Sequence, residues 1–191
     1  MSEEDIPFAG APPAPQVSIR RARPADAGLV HALVAELAEY EQLEHELIAT
    51  EADHAAALFG PDPKVFAEIL EWDGAPAGLA LWFYNYSTFT GRHGIWLEDL
   101  FVRPAYRRRG LARAAFRHLA RRCWAEGLRR FEWSVLDWNR PALEFYRAQG
   151  AVAMDGWTTM RVTGDALARL AGLAPPAEAT DGEGRAGTRR E

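Results

Sequence analysis

One cysteine, Cys123, and one lysine, Lys64, are all that this 191-residue chain has of either type. A lone thiol excludes an internal disulfide framework and points to a reducing compartment. With lysine nearly absent, the cations are almost all arginine, so an arginine cluster carries weight only where its position also makes physical sense. No apolar run approaches the ~18 residues that span a bilayer. The opening M-S-E-E-D-I-P-F-A-G is acidic where a signal peptide is basic, and no apolar core follows it. A net charge of −5 argues against nucleic-acid binding, which needs a basic footprint. The five histidines are scattered without metal-ligand spacing, and there is no internal repeat. These absences predict a cytoplasmic globular protein with no metal, nucleic-acid or membrane partner.

What is present suits one domain with a full-sized core: 48% of residues are apolar and 11% aromatic. Residues 1–16 and 174–191, rich in Pro, Ala, Gly and charge, read as disordered tails around a domain at 17–173. Inside it, Val17 to Arg21 reads as a strand. Val30, Leu33, Val34 and Leu37 form an i, i+3, i+4, i+7 stripe that predicts an amphipathic helix. A short helix is expected over Ala52 to Phe59. Strands over Val65 to Glu71 and Ala77 to Asn85 flank the hairpin signal W-D-G-A-P. Beyond Gly94 the pattern is strand (to Val102), helix (about Arg109 to Glu126), strand (Phe131 to Leu136) and helix (Asn139 to Gln149). A last strand at Trp157 to Val162 and a short helix to about Leu173 complete the expectation. The order predicts an α/β fold with a parallel strand pair inside a mixed sheet.

The chemistry concentrates in L-E-D-L-F-V-R-P-A-Y-R-R-R-G-L-A-R, Leu97 to Arg113. A strand carrying Glu98 and Asp99 runs into a basic turn, and a helix starts at once. Such a start offers free N–H groups to phosphate oxygens. Small residues at Gly110 and Ala112 let a pyrophosphate approach the amides of Arg108, Arg109, Gly110, Leu111, Ala112 and Arg113. The turn fits Arg/Gln-x-x-Gly-x-Gly/Ala with Arg107 first. It is neither a Walker loop nor a G-x-G-x-x-G fingerprint. Alone, the turn also reads as an ordinary arginine-rich helix start, and Glu98–Asp99 as a strand-end ion pair.

Together with W-N-R-P-A-L-E-F-Y-R-A-Q-G-A downstream, this stretch resembles the GCN5-related N-acetyltransferase (GNAT) superfamily. More narrowly it is similar to the diamine and thialysine N-acetyltransferase branch, over Val17 to Leu173. The resemblance implies a mixed, splayed central sheet with helices on both faces. It implies acetyl-CoA as cosubstrate, its pantetheine arm along Leu100, Phe101 and Val102 and its pyrophosphate at Arg107 to Arg113. Asn139 would orient the thioester end, with Tyr146 beside the sulfur. L-A-E-Y-E-Q-L resembles the branch's amine-binding segment, here Tyr40 and Glu41. Polyamine-specific members tend to carry Asp where Ser87 stands, so the resemblance is closer to thialysine-type members. It also implies a homodimer.

The reaction asks for these residue types. A primary amine has a pKa of ~10.4, so about one molecule in a thousand is nucleophilic at neutral pH. Glu98 is the candidate base and, with Tyr40, Glu41, Ser87 and Asp99, part of the expected amine site. A backbone N–H at Leu100 or Phe101 would hold the oxyanion. Tyr146 would protonate the departing thiolate, because phenol and thiol pKa values differ by only ~1.5 units. Cys123, mid-helix, is expected to be packing. The expectation is acetyl transfer to a small cationic amine. A protein or peptide acetyltransferase and a non-catalytic CoA-binding module are the alternatives.

Overall fold

A computed structural model describes residues 16–173. The expected tails, Gln16 apart, lie outside them. The chain divides into two compact units, one ending at Trp138 and the other beginning at Asn139.

The first unit is built on a five-stranded sheet, β1 (Val17–Arg21), β2 (Phe66–Trp72), β3 (Ala75–Ser87), β4 (Arg92–Val102) and β5 (Phe131–Trp133), hydrogen-bonded in that order. The first four strands are antiparallel, and β5 runs parallel to β4. The β4–β5 crossover carries α3 (Leu111–Ala125), as a parallel pair requires. The β2–β3 turn has positive φ at Asp73 (51°) and Gly74 (77°) between the paired Trp72 and Ala75, which is the two-residue hairpin predicted from W-D-G-A-P.

Helix α1 (Ala27–Glu41) buries Val30, Leu33 and Leu37 of the predicted stripe; α2 (Glu51–Phe59) adds Leu58. They join Ala67, Ile69, Leu79, Leu81 and Phe101 in one core cluster. The opposite sheet face meets α3 through its buried Leu111, Ala115, Phe116 and Leu119. Thr50 starts α2 with a capping box, its Oγ accepting from Asp53 N at 3.2 Å. Cys123 is half-buried on α3, and burial pushes its thiol up.

Two expectations change. The strand predicted over Phe131 to Leu136 ends at Trp133, where its pairing with β4 stops at Leu97. No strand forms at Trp157 to Val162. Trp157 (76% exposed) and Met160 (86%) bury no face, and a β-prone segment without a partner edge has nothing to pair with. The second unit holds α4 (Arg140–Ala148) and α5 (Gly164–Leu170).

At Gly78 the backbone of β4 lies where a side chain would have to go. Gly78 pairs with Val102, and a Cβ there would run into the Phe101 carbonyl oxygen. Gly78→Ala is therefore expected to cost about 1–3 kcal/mol. Urea unfolding should show a lower midpoint with an unchanged slope.

Candidate active site

The site begins with a break in the β3–β4 ladder. Leu81 pairs with Asp99 and Trp82 with Leu97, which leaves Glu98 as the extra residue of a β-bulge. The bulge resets which side chains face which layer. Leu97, opposite Trp82, lies on the α3 face with Ile95; Asp99, opposite Leu81, lies on the α1 face with Phe101. Without it, alternation would put all four on one face.

The bulge also limits pairing on the other edge of β4. The β4–β5 ladder runs only from Ile95–Phe131 to Leu97–Trp133. From Glu98 to Val102 the edge facing β5 carries no strand partner, and Ser134, Val135 and Leu136 have left the sheet. An open edge of this kind accepts an extended polar chain through main-chain hydrogen bonds. Leu100, Phe101 and Val102 all lie along it.

At the end of that edge the turn into α3 is strained toward the same use. Arg108 (φ 60°) and Gly110 (φ 87°) are both left-handed. No side chain caps α3, and its first backbone bond is Ala114 N to Gly110 O at 2.9 Å. The amides of Leu111, Ala112 and Arg113 thus precede the first intrahelical bond, which suits an anion. Arg107 is anchored: its Nε donates to the Val102 carbonyl at 3.0 Å, and its guanidinium lies 4.4 Å from the Tyr40 ring centroid. Arg109 stacks on Trp72 (5.0 Å), outside the turn. Arg103 donates to both Glu36 oxygens (2.6–3.1 Å) and to Pro76 O (2.9 Å), fixing the end of β4 against α1.

The acidic groups lie on two sides of the strand. Glu98 is exposed and accepts from Trp96 Nε1 at 2.8 Å. Asp99 is partly buried toward α1, and its carboxyl is pushed up to about 7 by desolvation first, then by the negative charges of Glu98 and Glu41. Burial also raises Glu41. Tyr40, Glu41, Asp99 and the anchored Arg107 are therefore brought together at the C-terminal end of α1. Ser87 is elsewhere: it is buried in the β3–β4 turn, its Oγ accepting from Thr90 N at 3.3 Å. That is six residues beyond Leu81, roughly 20 Å along the strand at ~3.3 Å per residue. Trp138 lies 6.2 Å from the Tyr40 ring and is 54% exposed. Only its place directly before Asn139 hints at this. In the second unit, Asn139 caps α4, its Oδ1 accepting from Ala142 N at 3.3 Å, and Tyr146 lies one turn from the helix end, its ring 5.5 Å from that of Phe145.

An open strand edge thus runs into an uncapped, glycine-led helix start. Residues 29–151 match the model of the acetyltransferase (GNAT) family. The chain belongs to the GNAT acetyltransferases. It is 36% identical to the thialysine N-epsilon-acetyltransferase of Sus scrofa over 82% of this chain and 98% of that one. It is 30% identical to an L-ornithine N5-acetyltransferase of Arabidopsis thaliana, over 78% and 85%. Among solved structures, an integron cassette protein from the mobile metagenome of V. cholerae superposes with a TM-score of 0.69 at 23% identity, covering 81% of this chain and 97% of that one. The splayed β4–β5 pair and the α3 turn are thus those of a GNAT acetyltransferase. No helix among the described residues is long and apolar enough to cross a membrane.

The raised Asp99 fixes a pH dependence. The folded protein holds this proton up to about pH 7, whereas the unfolded chain releases it near 3.8. Stability therefore falls as pH rises between those values. Asp99→Asn should remove that slope. At pH 8 the variant is expected to be the more stable by on the order of 2–4 kcal/mol. Near pH 3 the difference should vanish, as read by urea midpoints.

Proposed function

We propose that this GNAT acetyltransferase moves the acetyl group of acetyl-CoA directly onto the side-chain amine of a small cationic amino acid of the thialysine, ornithine or lysine type. The observation that carries the proposal is the opening of β4 at Glu98, with Asp99 and Glu41 directly beside it. The phosphate-bearing end of acetyl-CoA fits the uncapped start of α3 at Gly110 to Arg113, and its pantetheine arm fits the open edge at Leu100 to Val102. When bound it supplies an activated thioester.

The chain's own residues then divide the work. Asp99 and Glu41, with Tyr40 and Trp138 as aromatic walls, attract and orient the ammonium. Glu98, one oxygen fixed by the Trp96 indole N–H, takes the amine's proton directly or through a water. A main-chain N–H at Leu100 or Phe101 holds the developing oxyanion. Tyr146 returns a proton to the departing thiolate, and Asn139 orients the cofactor near its thioester. No covalent acyl-enzyme is needed. The names of the thialysine and ornithine relatives support the acceptor class. A serine at position 87, where polyamine-specific members tend to carry Asp, supplies no carboxylate for the far ammonium of a long polyamine. We further assign a cytoplasmic homodimer, supported by the single cysteine and by the exposed apolar Val152, Trp157 and Met160.

Release of CoA should be measured with thialysine, L-ornithine, L-lysine, spermidine and a lysine-containing peptide. Thialysine or ornithine should have the highest kcat/KM; turnover on the peptide alone would overturn the acceptor class. Tyr146→Phe is expected to cut kcat by about 100-fold or more, with KM for acetyl-CoA nearly unchanged. Full activity in that variant would remove the acid role. Glu98→Gln should lower kcat, whereas Asp99→Asn should chiefly raise the amine KM.

A further inference from the structure

On the α3 side of the sheet, away from Asp99 and Tyr40, lies a cavity of about 390 Å3. Its walls come from β1 (Ile19, Arg21), β2 (Phe66, Glu68), β3 (Trp82, Tyr84) and α3 (His118, Arg122). Among the described residues, six buried side-chain polar atoms make no hydrogen bond, and four of them belong to this lining: Glu68 Oε1, Trp82 Nε1, His118 Nε2 and Arg122 Nε. Buried polar groups are nearly always satisfied, so four orphans around one space ask for an occupant.

Glu68 is the most demanding of them. Its side chain is 4% exposed, and its nearest nitrogen partners stand off: Arg21 Nη1 at 3.5 Å and His118 Nε2 at 3.9 Å. The two guanidiniums are engaged with the walls instead, Arg21 lying 4.4 Å from the Phe66 ring and Arg122 5.1 Å from the Trp82 ring. Arg122 is also neutralised at the rim by Glu126 (2.9 Å), which in turn accepts from Tyr84 Oη at 2.7 Å. The cavity lining thus offers an under-partnered carboxylate together with N–H donors on Trp82 and Arg122. Glu68 pairs with Ala80 and Trp82 with Phe66, so the acceptor and the indole are diagonal neighbours on one face, roughly 7–8 Å apart at Cα.

The geometry points to a second binding site, for a small zwitterionic amino acid whose ammonium meets Glu68 and whose carboxylate meets Trp82 Nε1 and Arg122. A lone cation would leave the donors unpaired, and a lone carboxylate would face Glu68. A zwitterion satisfies both ends, and Ile19, Phe66 and Tyr84 give its side chain an apolar wall. The site is separate from the acetyl-transfer opening and does not depend on which amine is acetylated.

The test uses the full chain without acetyl-CoA and three probes: L-leucine, 4-methylpentanoate, which lacks the amine, and isoamylamine, which lacks the carboxylate. Titration calorimetry should find L-leucine bound at least about tenfold more tightly than either analogue, the loss expected for one unmade charged hydrogen bond. Glu68→Gln should weaken L-leucine by a similar factor and leave 4-methylpentanoate unchanged. Trp82→Phe should do the same with respect to isoamylamine. Asp99→Asn should leave L-leucine binding untouched, which separates this site from the acetyl-transfer site. If either lining variant fails to fold, the wild-type indole N–H resonance of Trp82 decides: it should shift on adding L-leucine. An unshifted indole, analogues binding as well as L-leucine, or a leucine-soaked crystal holding only water in the cavity would each overturn the proposal.

Discussion

One misfit residue organises this protein. Glu98 has no counterpart on β3, so β4 bends where it stands, and three consequences follow from that bend. The core partition changes, sending Ile95 and Leu97 beneath α3 but Asp99 and Phe101 beneath α1. The ladder to β5 stops at Leu97, leaving the edge beyond it without a strand partner. A carboxylate also arrives on each side of the strand, one exposed and one partly buried.

The electrostatics of the opening follow from its two ends. The α3 start gathers unpaired amides and arginines, and the left-handed Arg108 and Gly110 let the chain make that turn within three residues. The other end gathers Glu41, Glu98 and Asp99, where burial and mutual repulsion raise the proton affinity of Asp99. In the proposed reaction this division would sort a polyanionic cosubstrate and a cationic acceptor to opposite ends. Arg107 links the two, tied to the Val102 carbonyl and stacked on Tyr40, so the turn into α3 and the C-terminal end of α1 share an anchor.

Much of this arrangement is readable in the residues, for definable reasons. The α1 stripe, the W-D-G-A-P hairpin and the Asn139 cap are local signals, and local chemistry decides them. The bulge is not local. Ile95, Leu97, Asp99 and Phe101 all stand at odd positions, so plain alternation assigns them one face; only pairing with Leu81 and Trp82 splits them. The shortness of β5 follows from the same pairing and is equally invisible. Trp157 to Val162 has strand composition but no partner edge, and composition cannot supply one. Nothing in the spacing of Trp138 reports the Tyr40 ring beside it. Ser87 carried a family position, but its hydroxyl caps a turn at the far end of the hairpin. Glu68, a carboxylate inside the run Phe66 to Leu70, gains meaning only when Arg21, Trp82 and His118 converge on it from three other elements.

The central claim is that the strand edge beyond Glu98 stays open until the cosubstrate's polar arm pairs with it. Amide hydrogen exchange along β4, with and without coenzyme A, addresses this directly. The amides of Ile95 to Leu97, already in the ladder, should exchange slowly in both states, whereas those facing the opening between Leu100 and Val102, together with Leu111 to Arg113, should slow only when coenzyme A is bound. Equal protection in both states, or slowing confined to residues outside these two stretches, would contradict the account.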